Sequence, residues 1–185
     1  MDALQNDRLY TYADYANWDS DARYELIDGA AHMMAGASEI HQRTSRRLTK
    51  QLDGFLDGKP CELFYAPFDV CLNAAGDDDG TVVQPDILVV CDRSKLDGKR
   101  CNGAPDMIIE IVSPSTSGRD RLLKFNKYLQ AGVREYWIVD PDGRTVTVHI
   151  LTDGGYLTNA YGDTDIIAAY VLNGCLINMK DVFAE

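Results

Sequence analysis

The chain has 185 residues, 45% hydrophobic and 25% charged, the make-up of a water-soluble globular domain large enough for one full core. Its formal net charge of −11 argues against a protein that grips nucleic acid through a broadly basic surface. No apolar run approaches the roughly 20 residues that span a bilayer, so no membrane partner is expected. The acidic, aromatic start MDALQNDRLYTYADYANW lacks the basic and apolar regions of a signal peptide, so the expected compartment is cytoplasmic.

Residues 1–22 read as an N-terminal arm, with a short helix near Thr11–Trp18, ahead of a single domain over residues 23–185. RYELIDGAAHMMA reads as a β-hairpin, because Asp28-Gly29 supplies turn residues that tolerate positive φ. An amphipathic helix follows. Ser38 is a suitable N-cap, and Ile40, Thr44, Leu48, Leu52 and Phe55 recur at three-to-four spacing. Its other face carries Arg43, Arg46, Arg47 and Lys50. Cys61–Asn73 reads as a strand interrupted or bulged at Pro67, and the acidic Gly76–Gly80 segment as a solvated turn. Thr81–Cys91 is a second strand and Asp92–Ala104 a polar loop.

Asp106–Ser113 is a third strand, broken by PSTSGRD, which opens a helix to about Ala131 with Gly132 closing it. Its expected apolar stripe is Leu122, Phe125, Tyr128 and Leu129. REYWIVDP and RTVTVHIL are two further strands, the latter half-exposed, and the tail adds one or two short ones such as Ile166–Val171. Apolar strands flanked by helices imply an α/β sandwich around a mixed sheet. The five cysteines are odd in number, spread out and without a C-x-x-C pair. A zinc or redox motif is not expected, and most should be small buried residues.

Two acids interrupt apolar strands. Glu110 sits within MIIEIV and Asp86 within VVQPDILVV. Burying a lone carboxylate costs several kcal/mol unless something compensates it, about the scale of an unpaired buried ion. If the two strands pair, the acids converge at one edge of the sheet. Hard oxygen ligands placed so suit Mg²⁺ or Mn²⁺. The alternatives are a turn or cap role for Asp86 and an arginine partner for Glu110. On the following helix, Lys124 borders the apolar stripe on the Tyr128 side, with Lys127 further towards solvent. Arg121 also falls inside the stripe, but an arginine stays charged and is a poor base. The plain alternative for Lys124 is an i,i+4 pair with Asp120.

Asp86 in PDILVV, Glu110 in PDMIIEIVSPST and the run RDRLLKFNKYLQAGVREYWIVDP, with YELIDG and SEIHQ upstream, together resemble the Uma-type restriction endonuclease family of the PD-(D/E)XK nuclease superfamily. The likeness spans roughly Arg23–Phe183. It implies a restriction-endonuclease-like core, a mixed β-sheet flanked by helices behind an N-terminal β-hairpin. It also implies divalent-metal hydrolysis of DNA phosphodiesters. Asp86 and Glu110 match the metal-holding acids, with the carbonyl of Ile111 beside them. Glu25 matches an upstream acid, whose alternative is an exposed strand glutamate. Val112 stands where the superfamily usually has its lysine, and Lys124 matches the lysine that this family places on the next helix, to orient or deprotonate water. His41 matches a family histidine, against which stands a packed or capping role.

The expected site is therefore Glu25, Asp86, Glu110 and Lys124, with Mg²⁺ or Mn²⁺ on Asp86 and Glu110. Arginines of the 38–55 helix and the 92–100 loop are candidates to meet DNA. Double-strand cutting often needs two sites, which makes a homodimer a candidate assembly. The rival readings are a catalytically inactive module of this fold that binds DNA or protein, and a metal hydrolase of smaller phosphate substrates. Ser113, Ser115 and Ser117 have no G-x-S-x-G context.

Overall fold

A computed structural model describes residues 8–112 and 118–184. The elements run α1 (Tyr12–Tyr15), β1 (Tyr24–Ile27), β2 (Ala30–Met33), α2 (Glu39–Leu56), β3 (Glu62–Tyr65), β4 (Asp69–Cys71), β5 (Val82–Val83), β6 (Ile87–Val90), β7 (Arg100–Asn102) and β8 (Met107–Ile111). Then come α3 (Gly118–Ala131), β9 (Glu135–Asp140), β10 (Thr145–Thr152), β11 (Gly155–Tyr161), β12 (Ile166–Ala168), β13 (Leu176–Asn178) and α4 (Met179–Val182). The expected α/β class with a mixed sheet flanked by helices is present.

The central sheet has the order β11-β10-β9-β8-β6-β3, with β8 and β9 parallel and the other pairs antiparallel. Its middle strands read as unbroken apolar runs because helices cover both faces. Ile87, Val89, Met107, Ile109, Trp137 and Val139 point to the face under α2, where they meet Leu48, Leu52 and Leu56. The alternate residues Leu88, Val90, Ile108 and Tyr136 point to the opposite face, where they meet Tyr128 and Val133. Tyr128 belongs to α3. By alternation Glu110 falls on this second face.

A second sheet, β2-β1-β5-β4-β7, lies on the α3 side, with Ile27, Val70 and Val83 in the same cluster as Leu88 and Ile108. Its outer face holds Leu26, Cys71 and Val82 against Tyr10 and Tyr12. Residues 8–15 thus pack on the domain through buried aromatics. The hairpin forms as expected, with Asp28 at φ 51° and Gly29 at φ 80°. A side chain at Gly29 would meet the backbone and Cβ of Leu9.

Several expectations need correction. Each of the two long strands expected at Cys61–Asn73 and Thr81–Cys91 divides into two, one in each sheet: β3 and β4, then β5 and β6. The breaks fall at Pro67 and Pro85, which cannot donate to a ladder. On α2 the buried residues are Thr44, Leu48, Leu52 and Leu56, whereas Ile40 is 45% exposed. On α3, Leu122 is 62% exposed while Leu123 and Phe125 pack on the sheet. The beginning of that helix within PSTSGRD falls partly outside the described residues, as does the side chain of Asp120, the alternative partner of Lys124.

The Gly76–Gly80 segment is not wholly solvated. Asp79 is buried and accepts from the backbone N–H groups of Asn73 and Thr81 and from Asn73 Nδ2. It closes the turn. Arg100, in the expected polar loop, is also buried; it grips Asp77 and Asp97 and stacks on Tyr12. Cys71, Cys101 and Cys175 are free and buried, as expected. Cys61 and Cys91 instead form a disulfide between β3 and β6.

Candidate active site

Strands β6 and β8 pair antiparallel through Ile87–Ile109, and the next step of that ladder sets Asp86 across from Glu110. The convergence expected of the two acids therefore follows directly from strand register. Asp86 Oδ2 accepts the backbone N–H of Ile111 at 2.7 Å and lies 3.1 Å from His41 Nε2. His41 is held at the start of α2, where its own N–H bonds the Ser38 cap. The ring is largely buried and packed onto Asp86. The hydrogen bond to Asp86 raises the His41 pKa against the opposing effect of burial.

Glu110 Oε1 accepts from the Tyr128 hydroxyl at 2.6 Å and from Lys124 Nζ at 3.0 Å. Lys124 Nζ also donates to Glu25 Oε1 at 2.8 Å, and that oxygen accepts the Gln84 N–H at 2.9 Å. Glu25 is 6% exposed, so it is no exposed strand glutamate. Its strand neighbour Leu26 points outward to Tyr10 and Tyr12, which turns Glu25 inward. Lys124 and Tyr128 are one turn apart on α3 and converge on one Glu110 oxygen.

Charge decides what these groups can do. Burial raises the Glu110 pKa above the ordinary carboxylate range; Asp86 and Glu25 push the same way, while Lys124 and the Tyr128 hydroxyl oppose. Burial works against the charge on Lys124, but Glu110 and Glu25 outweigh it and raise its pKa. The two tendencies conflict, because a neutral Glu110 would hold an ammonium poorly. Two donors converging on one Glu110 oxygen are the arrangement of an ionised acceptor, and we take the pair as charged. Lys124 is then a cation and donor, not the base that the family pattern allows. Two of its three N–H groups are taken by described residues, and the third makes no hydrogen bond among them.

Among the described residues, no group of three or more His, Cys, Asp or Glu side chains forms a closed metal cage. Asp86 and Glu110 are the side chains that could hold a divalent cation. Every hydrogen bond that the described residues make to them ends on Asp86 Oδ2 or Glu110 Oε1, leaving Asp86 Oδ1 and Glu110 Oε2 for another partner. Two hard carboxylates with open oxygens fit Mg²⁺ or Mn²⁺, which keep waters and take substrate phosphates as further ligands.

All four expected site residues line one cavity of about 510 Å³, together with His41, Arg23, Gln84 and Arg121. Val112 lines it too and offers no base. Sequence reading missed Gln84 and Tyr128. A lone amide just before Pro85-Asp86 signals the first, and a hydroxyl one turn beyond Lys124 the second. The arginines expected to meet DNA from the 92–100 loop are committed elsewhere, Arg93 to Glu62 and Arg100 as above. On α2, Arg43 pairs with Glu39.

A family model described as "Uma2: Putative restriction endonuclease" matches residues 12–179. The chain belongs to the Uma2 family. Two relatives from Synechocystis sp. carry the description "Uncharacterized protein". One, slr1290, is 28% identical over 156 residues, covering 82% of this chain and 80% of the relative. The other, sll1609, is 26% identical over 145 residues, covering 76% and 80%. Among solved structures, "a putative nuclease belonging to DUF820" from Anabaena variabilis superposes on this Uma2 chain with a TM-score of 0.75. It covers 94% of the chain and 97% of its own, at 19% identity. At that identity the likeness speaks for a shared fold.

Proposed function

We propose that this Uma2 protein is a divalent-metal-dependent endonuclease that hydrolyses DNA phosphodiester bonds. The observation that supports the reading is the placement of Asp86 and Glu110 across one strand pair, each with an oxygen that takes no hydrogen bond from the described residues, beside a half-buried ammonium. Asp86, Glu110 and the carbonyl of Ile111 would hold Mg²⁺ or Mn²⁺, which when bound polarises a phosphate and acidifies a water. The remaining work falls to the chain's own side chains. Lys124 directs its third N–H to a phosphoryl oxygen and neutralises the charge that builds there. Glu25 and Glu110 hold that amine in place, Tyr128 fixes the Glu110 carboxylate, and His41 with the Ile111 N–H fixes Asp86.

The test uses purified protein, supercoiled plasmid DNA and Mg²⁺ or Mn²⁺. Nicked or linear product is expected, and Asp86→Ala or Glu110→Ala should abolish it. Removing such a charge-stabilising group typically costs about 100-fold or more in rate. Cutting that survives both substitutions would reject the assignment.

A further inference from the structure

The chain carries 29 acidic and 18 basic residues, so an arginine has no shortage of carboxylates. Exposed Arg93, Arg134 and Arg144 and buried Arg100 all hold carboxylates. Two cavity-lining arginines, Arg23 and Arg121, pair with no carboxylate among the described residues. Arg121 Nε is buried and makes no hydrogen bond among the described residues. Such an orphan donor costs roughly a hydrogen bond's desolvation and asks for an explanation.

Arg23 donates from Nε at 3.0 Å and from Nη2 to Gln84 Oε1, a neutral acceptor. That acceptor is aimed deliberately. The amide nitrogen of Gln84 is tied to Asp69 Oδ1 at 2.8 Å and to the Tyr15 hydroxyl at 2.7 Å, which turns its oxygen toward Arg23. The guanidinium is thus held in place without a contacting carboxylate among the described residues to cancel its charge. Arg23 lies two residues before Glu25 on the approach to β1, and Arg121 one turn before Lys124 on α3. Both therefore neighbour the Glu25–Lys124 pair in space as well as lining its cavity.

We propose that Arg121 and Arg23 form a phosphate clamp that seats the nucleic-acid backbone over the Asp86–Glu110 pair. Guanidinium forks match phosphate oxygens, and these two keep charge to give. The clamp explains how a chain of net charge −11 holds a polyanion: locally, within one cavity, instead of across a basic face. The inference rests on the proposed nuclease reading for its substrate class, and it assigns the binding step to residues outside the metal-holding set.

The test is binding without turnover. Fluorescein-labelled 20-nucleotide DNA, single-stranded and duplex, is titrated by anisotropy in EDTA against wild type, Arg121→Gln, Arg23→Gln, the double variant and Arg144→Gln as a control outside the cavity. Each clamp variant should bind roughly tenfold more weakly, the loss expected for a charge-assisted hydrogen bond. Each should also flatten the dependence of log K on log salt by about one contact. The control should match wild type, and circular dichroism melts should show every variant folded.

A double variant that binds with wild-type affinity and salt slope overturns the clamp, whatever the plasmid assay shows. A wild type that binds neither DNA form also overturns it. Clamp-dependent binding without metal-dependent cutting keeps the clamp and overturns the nuclease reading instead.

Discussion

At the residue scale, three carboxylates meet around the Lys124 ammonium. Glu25 and Glu110 share the Lys124 ammonium, and Asp86 faces Glu110 across the strand pair. Such a group adds little to stability, since three largely buried acids repel and each must be desolvated. Lys124→Ala should accordingly do more than remove a contact. It leaves Glu110 and Glu25 without their cation, which by analogy with broken buried pairs costs about 3 kcal/mol. The loss should depend on pH. Glu110 already has a raised folded-state pKa, and without Lys124 it rises further. The folded variant then binds a proton that the unfolded chain does not, so its stability increases as pH falls. Urea midpoints at pH 8 and pH 5 check this: the gap between Lys124→Ala and wild type should narrow at pH 5. A gap that stays constant would mean that Glu110 does not take up the proton.

At the scale of elements, sequence pattern reached as far as local physics determines structure. The turn at Asp28-Gly29, the Ser38 cap and the Gly132 stop depend on neighbouring residues, and each is where the pattern places it. The pairing of the Asp86 and Glu110 segments was also legible, because each is apolar enough to be central in a sheet. The transfer of chain from one sheet to the other at Pro67 and Pro85 was not, because proline marks a break without saying where the chain goes next. The outward Leu122 has the same cause: α3 is covered along one narrow stripe, and several phases satisfy the apolar pattern. The inward turn of Lys124 needed the family pattern in addition to helical spacing. The disulfide pair depended on strand register.

The helix that carries Lys124 also rests on a histidine. His149, on β10, is buried against Phe125 of α3, Tyr136 and Tyr156, with Nδ1 2.8 Å from Thr158 Oγ1 and Nε2 unpartnered among the described residues. Burial lowers its pKa. The folded protein thus resists a proton that the unfolded chain accepts, so stability is full above the ordinary histidine value of about 6.5 and is lost as pH falls below it. His149→Gln should flatten the decline of the urea midpoint between pH 7 and pH 5 relative to wild type. Equal slopes would show that protonating His149 carries no penalty.

For the whole molecule, the charge of −11 and the site's carboxylate oxygens that take no hydrogen bond from the described residues bear on the same measurement. General self-repulsion is relieved by any salt and scales with ionic strength. A cation bound at Asp86 and Glu110 stabilises the folded state by mass action and saturates. At a concentration about 100-fold above its Kd the gain is about 2.7 kcal/mol, or roughly 5–10 °C in melting temperature for a chain of this length. Millimolar Mg²⁺ or Mn²⁺ should therefore raise the Tm beyond NaCl of matched ionic strength, and the curve should level off. Asp86→Asn and Glu110→Gln should each lose the saturating part while keeping the response to NaCl, because neither substitution alters the remaining surface charge. An unchanged saturating shift in both variants would place the cation elsewhere, and with it the chemistry assigned to this cavity. That measurement separates metal binding from cutting, since it needs no substrate and no turnover.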